Sequence, residues 1–105
     1  MTPLIASILL LFASASMPVG EAAEVALVEG LGPTSLAGFD CVAIARSALV
    51  SSVCHDASRG LAIAVVGGRA RAYCDVPRAL VDAWLAAPSM GRFHAERIES
   101  GHRCD

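Results

Sequence analysis

The chain has 105 residues, 55% of them hydrophobic, and a formal charge of −2. That length is enough for one domain with its own core. Every basic residue is arginine, and Asp75, Asp82, Glu96, Glu99 and Asp105 are interspersed among those that follow Gly68, so the chain lacks the clear basic excess of a nucleic-acid binder.

The first element is a leader. Met1 to Val19 carries no charged side chain, and Leu4 to Ala15 is an unbroken run of apolar and small residues. A secretory signal needs an apolar stretch of about 7–15 residues, whereas a membrane span needs roughly 18 or more. Small-x-small cleavage patterns occur at Ala13-Ser14-Ala15 and Gly20-Glu21-Ala22, and cleavage near Ala22 gives a leader of ordinary length. Residues 1–22 are therefore expected to be a signal peptide. The mature chain would be secreted or periplasmic, with no membrane span left after cleavage.

A mature domain this small has a core that supplies only about 3–5 kcal/mol of net stability, so covalent staples are expected. Cys41, Cys54, Cys74 and Cys104 form an even set, and in an oxidising compartment they read as two disulfides.

Residues 23–46 show no clean period, and Gly30, Gly32, Pro33 and Gly38 break them into short pieces. They read as a linker and N-terminal arm. From Ser47 the signals sharpen. "ALVSSVC" is a strand-like run, and His55 to Gly60 is a polar turn. "LAIAVV" alternates Leu61, Ile63 and Val65 against Ala62, Ala64 and Val66, a strand with one bulky face. Gly67-Gly68 suits a two-residue hairpin turn, and "RARAYC" is the third strand.

Val76-Pro77 opens a helix that Asp75 is placed to cap, and Pro88 ends it. Leu80, Val81, Trp84 and Leu85 make one apolar stripe, expected to lie on the bulky face of the middle strand. Ser89 can cap a second short helix carrying Phe93, His94 and Ile98. The expected fold is α+β: a small two-layer domain over residues 47–104, with a three-stranded antiparallel meander covered by one helix plus a short C-terminal helix.

The same residues resemble the KTSC domain, a module found at the C-terminus of some lysyl-tRNA synthetases and as stand-alone bacterial proteins. The resemblance runs from Ser47 to His102. It rests on Ser47, Val50, Val53 and Asp56, on Leu61-x-Ile63-x-Val65, and on Gly68, Tyr73 and Val76-Pro77. Ala87-x-Ser89-x-Gly91-x-Phe93 and Ile98 close the pattern. The family's central Tyr-x-Tyr is Arg71-Ala72-Tyr73 here. Its tyrosine before the turn aspartate is His55, the second residue of its serine pair is Ala48, its asparagine is Ala95 and its late tyrosine is His102. The resemblance implies no established activity; RNA binding is the suggestion attached to the family, and the loss of aromatics together with the export signal argues against it here.

The residues offer few chemical sites. Cys54-His55-Asp56 has the composition of a catalytic triad, but consecutive strand residues point to opposite faces, so a disulfide cysteine and turn residues are the expected reading. His55, His94 and His102 lack any metal-binding spacing. Trp84 reads as the helix's core anchor. Arg71 and Tyr73 could form a binding surface, because Ala62 and Ala64 opposite them leave room for another molecule to dock. The expectation is a binding module for an unknown protein or small ligand, with no catalytic residue, cofactor or metal.

The strand register limits the disulfides. With Gly67-Gly68 as the turn, Leu61 lies opposite Cys74, and a short His55–Gly60 turn places Cys54 opposite Leu61 as well. Cys54 and Cys74 then flank the middle strand, about 10 Å apart, beyond the roughly 7 Å a disulfide spans. Cys41 and Cys104 should each reach one strand cysteine, in either of two pairings.

Overall fold

The computed structural model describes residues 24–104, so the expected signal peptide lies outside the described residues. Six strands form one mixed sheet: β1 Val25–Glu29, β2 Gly32–Ser35, β3 Asp40–Ala43, β4 Val50–Asp56, β5 Leu61–Val66 and β6 Arg69–Tyr73. Their order is β2-β1-β6-β5-β4-β3. Helix α1 spans Arg78–Ala86, and α2, Met90–Phe93, runs on into a π-helical segment, His94–Glu99. Among the described residues no helix is long and apolar enough to cross a membrane.

The expected three-stranded meander is present as β4, β5 and β6, but it is half of the sheet. Residues read as linker and arm supply the other three strands. β1 and β2 form an antiparallel hairpin, β1 pairs parallel to β6 through Val28–Ala70 and Glu29–Arg71, and β3 pairs antiparallel to β4. The fold is therefore a six-stranded mixed sheet with short helices, not a meander under a long helix.

The chain connecting the two edges shows how the sheet is shaped. Five spacings of a flat sheet would separate β2 from β3 by about 24 Å. The chain between Ser35 and Asp40 can span at most about 18 Å when fully extended. The six strands must therefore curl. Leu36 and Phe39, on that connection, pack with Val28, Cys54, Ile63, Ala26, Ala70 and Ala72 on the sheet's back. The Arg59 guanidinium lies 5.3 Å from the centre of the Phe39 ring.

The helices cover the other face, and here the expectation was inverted. Ala62, Ala64 and Val66 lie under the helices with Val53, Tyr73, Val81, Trp84, Met90 and Ile98. Ile63 faces the back, while Leu61 and Val65 are half-buried. Trp84 is fully buried, and its indole N–H donates to the Met90 carbonyl at 3.1 Å. Volume explains the inversion. Tryptophan, tyrosine and methionine already fill the layer, so the strand beneath must offer small side chains for native packing density.

The turns are mostly those expected. Gly67 and Gly68 take φ of +60° and +82°, the two positive values a type I′ hairpin requires. Ser89 caps α2 by accepting the Arg92 N–H at 3.2 Å. Gly91 leaves room for Leu49, whose Cδ2 would lie 3.3 Å from a Cβ at that position. Arg46 donates to the Leu85 carbonyl at the end of α1 at 3.0 Å. Asp75, however, does not cap α1. Pro77 occupies the cap position with no side-chain bond, and Asp75 adopts φ +56°. The turn is pinned on both sides instead: Cys74 N–H donates to His102 O at 2.7 Å and Val76 N–H to Gly60 O at 2.8 Å. Aspartate tolerates this left-handed backbone better than most residues.

The disulfides are Cys41–Cys54 and Cys74–Cys104, and the described residues hold no free cysteine. Cys54 and Cys74 stay apart as expected, and each end of the domain is stapled to a strand. The detail of the register differs: Asp56 lies opposite Leu61, so Cys54 faces Ile63. The β4–β5 turn is tighter than the sequence suggested, because His55 and Asp56 belong to the strand. The offset is two residues, which preserves the face.

Candidate functional site

Two residues apart on β6, Arg71 and Tyr73 share the face that the helices cover. Tyr73 pairs across the strands with Ala62 and Arg71 with Ala64, as the hairpin predicts. The helical layer decides what each can do. Tyr73 is 1% exposed, so its ring is a core element and presents no stacking surface. Arg71 lies nearer the helical layer's margin and is half-buried.

Around these two the chain gathers a polar cluster from four segments. Glu29 arrives on β1 through its pairing with Arg71. His94 and Glu99 sit at opposite ends of the π-helical segment. Arg103 is brought in by the tail, which bridges back to Tyr73 and is tied by Cys74–Cys104. Tyr73 Oη lies 2.7 Å from His94 Nε2 and 2.9 Å from Glu99 Oε1. The phenol has one proton and a carboxylate only accepts, so Tyr73 donates to Glu99 and His94 Nε2–H donates to Tyr73. The result is a directed chain, from imidazole to phenol to carboxylate.

The electrostatics follow from this burial. The Tyr73 phenol is pushed up to about 12, first by burial and then by the Glu99 carboxylate that its hydroxyl bonds; Arg71 opposes the shift. Burial also pushes the His94 imidazole below its usual range, with Glu99 opposing and Arg71 assisting. His94 stacks on Trp84 with ring centres 5.9 Å apart and meets Tyr73 edge-on at 5.4 Å. Both groups are thus held neutral at physiological pH.

Outside this buried chain a cavity of about 300 Å³ opens, lined by Glu29, Arg71, Tyr73, Glu99 and Arg103 with Cys104 at its edge. Its ion pairs are loose. Arg71 Nε stands 3.5 Å from Glu29, Arg71 Nη1 3.7 Å from Glu99, and Arg103 Nε 3.6 Å from Glu99. Arg71 Nε is buried and has no hydrogen-bond partner among the described residues.

The other sequence candidates are held apart. Cys54 is in a disulfide, and His55 points to the opposite face of β4 from its neighbours, donating from Nε2 to Val76 O at 2.8 Å. Asp56 accepts from the Ser58 hydroxyl at 2.6 Å and from Arg59 at 2.7 Å, and these partners hold its carboxyl down at about 2. His102 Nδ1 lies 3.1 Å from Cys74 O. Among the described residues no three metal-binding side chains come together.

The fold elements that hold Arg71 and Tyr73 are the ones whose sequence resembles a known module. The profile of the KTSC domain matches residues 46–101, just over half of the chain. The chain belongs to the KTSC family. No curated protein and no solved structure matches it. Within the KTSC region, Ser89 and Gly91 have structural work, as a helix cap and a point of close approach. Glu29, Arg103 and both terminal cysteines lie outside the match, so the polar cluster joins family residues to segments that flank them. Sequence reasoning named Arg71 and Tyr73 and missed Glu29, His94 and Glu99 as their partners. The long-range pairing of β1 with β6 brings in Glu29, and the packing of the π-helical segment over β6 brings in His94 and Glu99.

Proposed function

We propose that this KTSC domain is exported, to the periplasm or the medium, and acts there as a disulfide-stapled binding module rather than as an enzyme. The carrying observation is the cavity beside Arg71, where Arg71 and Arg103 stand 3.5 to 3.7 Å from the Glu29 and Glu99 carboxylates, too far for close charge-assisted hydrogen bonds. Export is supported by the uncharged apolar leader and by the pairing of all four cysteines. The binding reading is supported by the cysteine of Cys54-His55-Asp56 being tied up, which leaves no activated nucleophile there. RNA binding, suggested for the family, draws no support from the buried ring of Tyr73.

The compartment is tested by intact mass, N-terminal sequence and thiol count on protein recovered from the exported fraction. The expected result is a start shortly after Ala15, Ala22 or Ala23, with no free thiol. Full-length chain in the cytosol with reduced cysteines would refute export and staple together.

A further inference from the structure

The signs of the charges around the Arg71 cavity alternate along its rim: Glu29, Arg71, Glu99, Arg103. A ligand of one sign that reaches both guanidiniums must pass a carboxylate, and one that reaches both carboxylates must pass a guanidinium. Only a ligand with opposite charges a few bonds apart meets attraction at each step.

The spacing of the groups argues against a purely structural ladder. The closed Arg59–Asp56 pair sits at 2.7 Å, and on the rim itself Glu29 Oε2 closes on Arg69 at 3.1 Å, leaving Oε1 towards Arg71. The contacts of Arg71 and Arg103 at 3.5 to 3.7 Å exceed the roughly 2.7–2.9 Å of a charge-assisted hydrogen bond. Among the described residues the Arg71 Nε is shielded from water and has no hydrogen-bond partner, which leaves that edge of the planar fork unmatched. The cavity of about 300 Å³ is at the lower end of the size of small-molecule sites.

We infer that the cavity binds a free α-amino acid, with its carboxylate on Arg71 and its ammonium on the neighbouring Glu29. The guanidinium fork matches a carboxylate bidentately, and the ammonium lies one carbon away from that carboxylate, where the next rim group is negative. Tyr73 does not touch the ligand; through its bond to Glu99 it fixes one carboxylate in place. This assignment rests on the binding-module reading, whose surface it shares.

The test is an amide chemical-shift titration of the oxidised chain with L-alanine, and with acetate and methylammonium as its two halves. L-Alanine should give saturable shifts at residues 71–73 and 99–103. Each half-ligand should bind at least about ten-fold more weakly, the low end of what one charged hydrogen bond contributes. Arg71→Gln and Glu29→Gln should each abolish saturation while Trp84 fluorescence reports an intact fold. Arg71→Lys, which keeps the charge but not the fork, should weaken binding without restoring wild-type affinity. Acetate binding as tightly as L-alanine would overturn the zwitterion assignment in favour of a simple anion site. No saturable shift with L-alanine would also overturn it. If another small molecule or protein then shifts the same amides in an Arg71-dependent way, the binding surface stands and only the ligand class falls. L-Alanine shifts unaffected by Arg71→Gln and Glu29→Gln would refute both.

Discussion

Tyr73 is the chain's single tyrosine, so a spectrophotometric titration of phenolate reads this residue without interference. Burial and the Glu99 carboxylate raise its pKa from 10.0 to about 12. Two powers of ten in proton affinity correspond to about 3 kcal/mol favouring the neutral phenol in the folded chain. The sign fixes the alkaline behaviour. The unfolded chain releases its phenolic proton near 10, so the contribution is whole below that pH and is lost as pH rises through about 12. Absorbance of the folded protein should therefore show one transition near 12, and in denaturant one near 10. Glu99→Gln removes the accepting carboxylate and should bring the folded midpoint down, while leaving it above the unfolded value because burial persists. Arg71→Gln removes the opposing charge and should move it upwards. A folded wild-type midpoint near 10, or equal shifts in the same direction from the two variants, would refute the directed chain from His94 through Tyr73 to Glu99.

The inverted packing of β5 predicts that Ala64→Leu, which forces extra volume under the Trp84 layer, costs about 1–3 kcal/mol in denaturant unfolding. Leu61→Ala, at a half-buried position, should cost less, and the reverse order would contradict the assignment of faces. Replacing Cys74 and Cys104 with serine opens a loop of sequence separation 30, and chain entropy puts the loss at about 3–4 kcal/mol by the same assay. The lowered His94 pKa means that the unfolded chain binds the proton more readily, so stability should fall as pH drops below 6.5. His94→Gln should flatten that part of the pH profile. For Asp56, whose carboxyl is held at about 2, stability should be present above 3.8 and lost as pH falls through about 2, a loss that Asp56→Asn would remove.

What the sequence revealed were local features with local causes. Gly67-Gly68 specifies its turn by positive φ, and the turn alone fixes the β5–β6 register, Tyr73 opposite Ala62. The same reasoning kept Cys54 from Cys74 although the β4 register was off by two residues, because an even offset preserves the face. Alternation in "LAIAVV" showed that β5 has two unlike faces, but not which one the helix covers. That depends on the volume arriving from α1, α2 and β6, and Trp84 with Tyr73 selects the alanines. The N-terminal strands had no such signal. β1 is half exposed, β2 contains Gly32 and Pro33, and the parallel pairing with β6 joins residues some forty positions apart.

That distant pairing also gives the site its character. β6 alone would carry Arg71 as an isolated cation at the margin of the helical layer, a plausible phosphate contact. β1 sets Glu29 beside it, the π-helical segment sets Glu99 on its other side, and the Cys74–Cys104 staple returns Arg103. A nucleic-acid backbone presents one sign of charge, and it would now meet two carboxylates for the two guanidiniums. The flanking segments outside the KTSC match add Glu29 and Arg103 to the Arg71–Glu99 pair within it, extending a charge-balanced rim. Recognition at such a rim would come from the placement of opposite charges rather than from net charge, so the near-neutral composition of the whole chain argues against a polyanion without arguing against a small zwitterion.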